Sequence, residues 1–130
     1  MIPIAKPNLG RKEALAAGKA ILSGWVTQGP RVKKFEEDFA AYTRAKYACA
    51  ASSCTAALHL ALLSVGVKPG NVVATVSHSF IATANSVRYC AAEPVFIDID
   101  PDTFNISPSG LERFFKKECD IRGGRLYYKN

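Results

Sequence analysis

Short apolar runs alternate with helical segments from residue 47 to residue 118. Three runs are typical of buried strands, at residues 47–51 (YACAA), 72–76 (VVATV) and 94–99 (PVFIDI). Helical segments follow each of them, at residues 55–66, 79–91 and 107–118. Strands that alternate with helices are typical of a parallel sheet with right-handed crossovers. The sequence therefore predicts an α/β fold with a mostly parallel sheet and flanking helices.

Two more helices are predicted before this alternating region. Residues 9–23 have loosely helical apolar spacing and are followed by Gly24, a common helix terminator. The segment GWVTQGP is read as a loop from its glycine and proline content. Residues 31–44 then place large apolar side chains on one helical face.

These assignments divide the chain into residues 1–45, with the helices and loop, and 46–118, a βαβαβα core. The last residues, CDIRGGRLYYKN, read as a polar loop and the start of a strand rather than a finished domain edge. We expect that the chain stops in the middle of a fold.

Composition and charge narrow the classes of function. The formal net charge is +6, but basic residues are dispersed among acids and form no block with interleaved aromatics, so nucleic acid is not expected as a partner. The excess positive charge is read first as a solvated basic surface, and a small anionic substrate is the functional alternative. No apolar run is long enough to cross a bilayer, and the start lacks a signal-peptide core. A cytoplasmic location without a membrane partner is expected.

Four cysteines, at positions 49, 54, 90 and 119, are widely spread and form no CxxC pair, so no metal site is predicted from them. Cys49 and Cys90 lie among apolar or small residues and are predicted to be buried thiols. A disulfide framework is not expected in a chain without an export signal.

The stretch ASSCTAAL, residues 51–58, places small polar side chains between a predicted strand and a predicted helix. At such a point the free backbone N–H groups and the helix dipole favour an anion, and hydroxyls at Ser53 and Thr55 add donors. An ordinary helix cap explains the same residues. Neither a Walker loop nor GxGxxG is present. Both interpretations stay open on these residues alone.

Four motifs in order resemble those of one family: residues 23–40 (SGWVTQGPRVKKFEEDFA), 52–71 (SSCTAALHLALLSVGVKPGN), 77–87 (SHSFIATANSV) and 91–108 (AAEPVFIDIDPDTFNISP). The chain resembles the DegT/DnrJ/EryC1/StrS group of fold-type I aminotransferases, which use pyridoxal 5'-phosphate (PLP) and act on nucleotide-linked sugars. The resemblance runs from IPIAKPNLG to about DTFNISP. It implies that the chain is the N-terminal part of a PLP-binding large domain.

The resemblance assigns roles to particular residues. Cys54 and Thr55 match the turn that holds the cofactor phosphate, and Phe80 matches the aromatic ring that stacks on the pyridine. Without the resemblance, Phe80 reads as a core residue. Trp25 and Thr27, in a loop that reaches the active-site mouth in the family, are candidate substrate contacts, although Trp25 is equally readable as an anchor of its loop onto the core.

The remaining polar candidates are given structural interpretations. His78 is a candidate for the lining of the same cleft and receives no catalytic role, and His59 is read as a packed or surface residue. Asp98, Asp100 and Asp102 resemble a metal site at first sight, but the glycine and final glutamate of an EF-hand are missing. In the family this segment is a turn, so Asp102 or Thr103 is expected to cap local backbone.

The family's chemistry also needs a Schiff-base lysine and an acid at the pyridine nitrogen. Both lie beyond the matched region in the family, so no catalytic residue is expected within residues 1–130, and this piece is not expected to transaminate alone. The resemblance implies amino transfer, with glutamate as the expected donor, to a keto group of a nucleotide-linked sugar for surface polysaccharide. A homodimer is also implied. Alternatives are a sugar dehydratase of the same family, a non-catalytic or regulatory homologue, and a generic nucleotide-binding module.

Overall fold

The computed structural model describes residues 5–129, apart from the side chain of Arg125. The chain divides into two compact units, Met1–Ala50 and Ala51–Asn130. The fold is α/β with a parallel pair of strands in the second unit, as the sequence predicts.

The first unit contains two helices, α1 (Arg11–Leu22) and α2 (Pro30–Thr43). α1 begins where the Glu13 carboxylate accepts a 2.7 Å hydrogen bond from the backbone N–H of Gly10. This hydrogen bond lowers the pKa of Glu13. α2 has proline at its first position, where the missing N–H has no helical partner to lose. Both predicted helices of this region are confirmed.

The second unit begins with a helix and contains one parallel strand pair. Its elements are α3 (Cys54–Ser64), β1 (Val72–Thr75), α4 (Ile81–Tyr89), β2 (Glu93–Phe96), α5 (Pro108–Glu118), β3 (Cys119–Arg122) and β4 (Arg125–Tyr128). β1 pairs with β2 in parallel, from Val72 opposite Glu93 to Thr75 opposite Phe96. Helix α4 provides the crossover between them. The predicted strand–helix–strand unit is therefore confirmed, although β2 ends earlier than predicted, and Ile99 makes only an isolated bridge to Ile106.

The predicted strand at residues 47–51 is wrong. These residues have no regular secondary structure, and Tyr47 is 78% exposed. Within the described residues no neighbouring strand pairs with this segment, and the backbone N–H of Ala50 instead donates to the Glu36 carboxylate at 2.8 Å. A lone strand cannot satisfy its backbone groups, so a short apolar run is not enough to form one. For the same reason Cys49 is exposed, contrary to the prediction, whereas Cys90 is buried as predicted.

The buried core of the second unit is small. Val87, Cys90 and Ala92 form its centre, and Val87 is only 2% exposed. Three partly buried side chains pack against this centre, at positions 62, 67 and 73. They belong to the end of α3, the loop after it and β1. The core therefore sits where α3 and α4 end and β1 begins.

The last described residues form a β-hairpin on α5 rather than a polar loop with the start of a strand. β3 and β4 pair in antiparallel fashion across Gly123 and Gly124, both of which have positive φ angles. A two-residue turn of this kind favours glycine at both positions. The rings of Phe114 on α5 and Tyr128 on β4 have centroids 5.6 Å apart, which holds the hairpin against the helix. Within residues 5–129, no helix is both long and apolar enough to cross a lipid bilayer.

Candidate functional site

The amino termini of α3 and α4 lie at one edge of the second unit. Both helices pack on the core through their carboxyl-terminal parts, at Leu62 in α3 and at Val87 in α4. Their amino termini therefore lie at the end of each helix that points away from the core. β1 contacts the same core near its start, at Val73, and β2 is parallel to it. The carboxyl ends of both strands therefore share an edge with the two helix starts. This edge, called the carboxyl edge below, is where ligands bind in parallel α/β sheets.

The start of α3 combines a helix cap with unoccupied donors. The Ser53 hydroxyl oxygen accepts from the N–H of Ala56 at 3.1 Å, and the Ser53 carbonyl accepts from the N–H of Ala57 at 3.0 Å. Among residues 5–129, no group accepts a hydrogen bond from the backbone N–H of Cys54 or of Thr55. The helix cap that the sequence predicted is therefore present, and two N–H groups remain available for an anion.

These donors fit a phosphate group. Cys54 is exposed and Thr55 is half-buried, so the helix start is open to solvent. The adjacent side chains are small, which permits a phosphate oxygen to reach the backbone. The Thr55 hydroxyl can donate as well, and the helix dipole adds positive potential at the same point. The residues present therefore suit the phosphate end of PLP.

Phe80 presents an exposed ring at the start of α4. It is the residue that precedes the helix, its side chain is 79% exposed, and its carbonyl accepts from the N–H of Thr83 at 3.0 Å. The alternative reading of Phe80 as a core residue is therefore wrong for the described residues. An exposed flat ring at the carboxyl edge is free to stack on a planar ligand.

The acidic segment after β2 is a turn organised by Asp100. One oxygen of its carboxylate accepts from the N–H of Asp102 at 3.1 Å, from the N–H of Thr103 at 3.0 Å and from the Thr103 hydroxyl at 3.2 Å. These hydrogen bonds, those from the Thr103 and Asp102 N–H groups first, hold the pKa of Asp100 below its usual 3.8.

The predicted turn is confirmed, but its main acceptor is Asp100 rather than the expected Asp102 or Thr103. Thr103 plays a smaller part, since its hydroxyl oxygen accepts from the N–H of Asn105 at 3.4 Å. In turns, an aspartate side chain often accepts a hydrogen bond from the backbone N–H two residues later. Asp100 stands two residues before Asp102 in such a turn, so the sequence points to Asp100 as the acceptor. Within the described residues, no group of three or more His, Cys, Asp or Glu side chains is placed to hold a metal ion.

Trp25 and Thr27 belong to the first unit. The Trp25 indole donates from Nε1 to the carbonyl of Gln28 at 2.8 Å, and its ring is still 59% exposed. A Cβ at Gly29 would lie under 3.0 Å from three atoms of this ring, so any larger residue there would force the ring to move. Trp25 thus fixes the shape of its own loop, and Thr27 is exposed on that loop.

Comparison with known proteins finds one family that matches most of the chain. The DegT/DnrJ/EryC1/StrS aminotransferase family matches residues 7–119. The spore coat polysaccharide biosynthesis protein SpsC of Bacillus subtilis is 45% identical over 111 residues, which cover 85% of this chain and 28% of SpsC. The chain thus spans less than a third of the length of this curated relative.

Solved structures agree with this match. The aminotransferase TlmJ from Streptoalloteichus hindustanus is 37% identical, with a TM-score of 0.76 over 87% of this chain and 31% of TlmJ. The PLP-form of Spr1654 from Streptococcus pneumoniae is 32% identical, with a TM-score of 0.79 over 86% of this chain and 29% of that protein. A PMP-form of Spr1654 is also known.

Proposed function

Because the chain belongs to the DegT/DnrJ/EryC1/StrS aminotransferase family, we propose that it forms the phosphate-binding part of a sugar aminotransferase. The proposed reaction transfers an amino group, with glutamate as donor, to a keto group of a nucleotide-linked sugar. The product would serve cell-surface polysaccharide synthesis, which is supported by the 45% identity to a spore coat polysaccharide protein.

The observation that carries the proposal is the open start of α3. The N–H groups of Cys54 and Thr55 have no acceptor within residues 5–129, and the Thr55 hydroxyl stands beside them. We propose that these three donors bind the phosphate of PLP. When bound, PLP supplies a ring that accepts electrons from the amino-acid carbon. The thiol of Cys54 borders this phosphate site and has no proposed chemical role.

Phe80 is proposed to hold the plane of the cofactor. Its ring is exposed at the start of α4, and a face-to-face offset contact with a flat ring gains dispersion energy over the whole contact area. Trp25 and Thr27 are proposed to contact the sugar or nucleotide from their loop. The Trp25 hydrogen bond to Gln28 keeps the indole in one orientation, which lowers the entropy cost of such a contact.

The residues that complete the chemistry are proposed to lie outside residues 1–130. None of the ten lysines in the sequence, such as Lys33, Lys68 or Lys116, stands in a segment that resembles the family's lysine motif. The chain spans 28% of SpsC, so the remaining length has room for the lysine and for the acid at the pyridine nitrogen. Residues 1–130 alone are therefore proposed to be inactive in amino transfer.

Association with a second copy in the cytoplasm is also proposed. Large apolar side chains are exposed on both units, Leu22 on α1 and Ile121 on β3 among them, and exposed apolar surface favours association. Sedimentation velocity of the purified protein over a range of concentrations is the measurement. A single monomeric species at the highest concentration would contradict this part of the proposal.

The decisive experiment is titration of the purified full-length protein with PLP and, separately, with NAD. We expect saturable binding of PLP with a visible absorption band, and no comparable binding of NAD. The double variant with Thr55→Val and Cys54→Pro is the negative control, because it removes the Thr55 hydroxyl and the backbone N–H of residue 54. Absence of PLP binding by the unaltered protein would overturn the proposed function. Incubation of the loaded protein with glutamate then tests whether it accepts an amino group.

A further inference from the structure

Two aromatic rings join the loops that follow β1 and β2. The imidazole of His78 and the ring of Phe104 have centroids 5.7 Å apart and planes inclined by 30°. His78 lies between β1 and α4, and Phe104 lies in the turn after β2. The pair therefore ties together two separate loops at the carboxyl edge, two residues before Phe80.

Two hydrogen bonds constrain the loop that carries His78, one within the loop before Phe80 and one from the loop to the first turn of α4 after Phe80. The N–H of Ser79 donates to the carbonyl of Ser77 at 2.8 Å, so His78 lies at the apex of a tight bend. The hydroxyls of Ser79 and Thr83 are 2.7 Å apart, which fixes the loop to the first turn of α4. A side chain at this apex can set the position of the whole bend.

The turn that carries Phe104 is also constrained. Phe104 has a φ of 58°, in the left-handed region that aromatic residues rarely adopt. Its N–H donates to the carbonyl of Asp100 at 2.9 Å, and the Asp100 carboxylate holds the two residues before Phe104. Uncommon backbone conformations persist where surrounding contacts determine them, and they concentrate at functional sites. Here the result is a phenylalanine that is 60% exposed and whose ring lies against the imidazole of His78.

We propose that His78 and Phe104 form an aromatic bracket that positions residues 77–80, and thereby sets the orientation of the Phe80 ring toward the cofactor. His78 is in this proposal a positioning residue and transfers no proton. The inference rests on the proposed function, because the bracket affects the cofactor only through the proposed contact between the Phe80 ring and the cofactor. It does not rest on the phosphate donors of α3.

The test uses the full-length protein and compares His78→Ala, His78→Phe and Phe104→Asn. Asparagine tolerates the left-handed backbone at position 104 and removes only the ring. The matched control is His59→Ala, because His59 contacts the Tyr89 ring at a similar 5.6 Å between α3 and the end of α4. Two quantities are measured: the Kd for PLP by absorbance titration, and amide hydrogen exchange of residues 77–80 without cofactor.

An aromatic pair contributes enough that its loss should raise the Kd about two- to tenfold. We expect that rise, and faster exchange at residues 77–80, for His78→Ala and for Phe104→Asn. His78→Phe keeps a ring and should restore both values. The double variant with both rings removed should bind no more weakly than the weaker single variant, because both substitutions break one contact. His59→Ala should leave the Kd within twofold of the unaltered protein.

The outcomes separate this inference from the function on which it rests. If the unaltered protein binds PLP and all bracket variants bind equally well, the bracket is refuted and the proposed function stands. An equal loss of affinity in His59→Ala and His78→Ala would reveal general destabilisation and would also refute the bracket. If the unaltered protein binds no PLP, the proposed function fails and this inference fails with it.

Discussion

Replacement of Cys54 by proline tests the phosphate site with little disturbance of the helix. Cys54 is the first residue of α3, a position where proline is favoured because its N–H has no helical acceptor. The preceding Ser53 has φ −160° and ψ 162°, the extended conformation that a residue before proline prefers. Cys54→Pro therefore deletes one of the two free N–H groups and should preserve α3.

The size of the effect follows from the kind of bond that is lost. A hydrogen bond from an N–H group to a charged phosphate is worth about 1.5–3 kcal/mol. At about 1.4 kcal/mol per factor of ten, its loss weakens binding roughly 10- to 150-fold. Cys54→Ala is the matched control, since it removes the same thiol and keeps the N–H. The ratio of the two Kd values isolates the backbone donor.

The assay is equilibrium titration of both full-length variants with PLP, with circular dichroism to compare their helix content. Inorganic phosphate would use the same N–H group, so loss of this donor predicts that added phosphate binds more weakly to Cys54→Pro than to Cys54→Ala. If both variants have equal helix content and equal Kd values, the N–H of residue 54 does not hold the phosphate and the reasoning is wrong.

Three further perturbations test other parts of the structure. Ser53→Ala removes the hydroxyl that caps α3 and should lower the free energy of unfolding by about 1 kcal/mol in denaturant titration, whereas Ser52→Ala should have little effect; equal losses would contradict the cap. Gly29→Ala should displace the ring of Trp25, the only tryptophan in the sequence, and shift its fluorescence emission to longer wavelength; an unchanged spectrum would show that the ring tolerates a methyl group there. Asp100 has a folded pKa below the unfolded 3.8, so its carboxylate contributes stability that is present above pH 3.8 and is lost as pH falls through the folded pKa. The stability difference between the unaltered protein and Asp100→Asn should therefore shrink from about pH 6 to about pH 3, and a constant difference would argue against the hydrogen-bonded turn.

Local signals in the sequence predicted most of the helices correctly. Ser107 and Pro108 mark the start of α5, and the structure has the Ser107 hydroxyl accept from the N–H of Gly110 at 3.1 Å. Such caps depend on residues three positions apart, so they are readable without tertiary information. The β1–α4–β2 unit was predictable for a related reason, because its two strands are joined by a single crossover helix.

Features that depend on distant partners were not predictable. Residues 47–51 are short and apolar like a buried strand, but a strand needs a neighbour, and the described residues provide none. The left-handed backbone at Phe104 is equally hidden, since no glycine or asparagine marks it.

The order in which the core residues occur along the chain has a consequence for synthesis. The buried cluster and its neighbours all fall between Leu62 and Ala92, and β1 and β2 lie within about 25 residues of each other, from Val72 to Phe96. A ribosome adds roughly 5–20 residues each second, so this stretch leaves the exit tunnel within seconds. Because these residues are close together in sequence, the apolar nucleus can close soon after they emerge, which shortens the time that Val87 and Cys90 are exposed to chaperones or to other nascent chains.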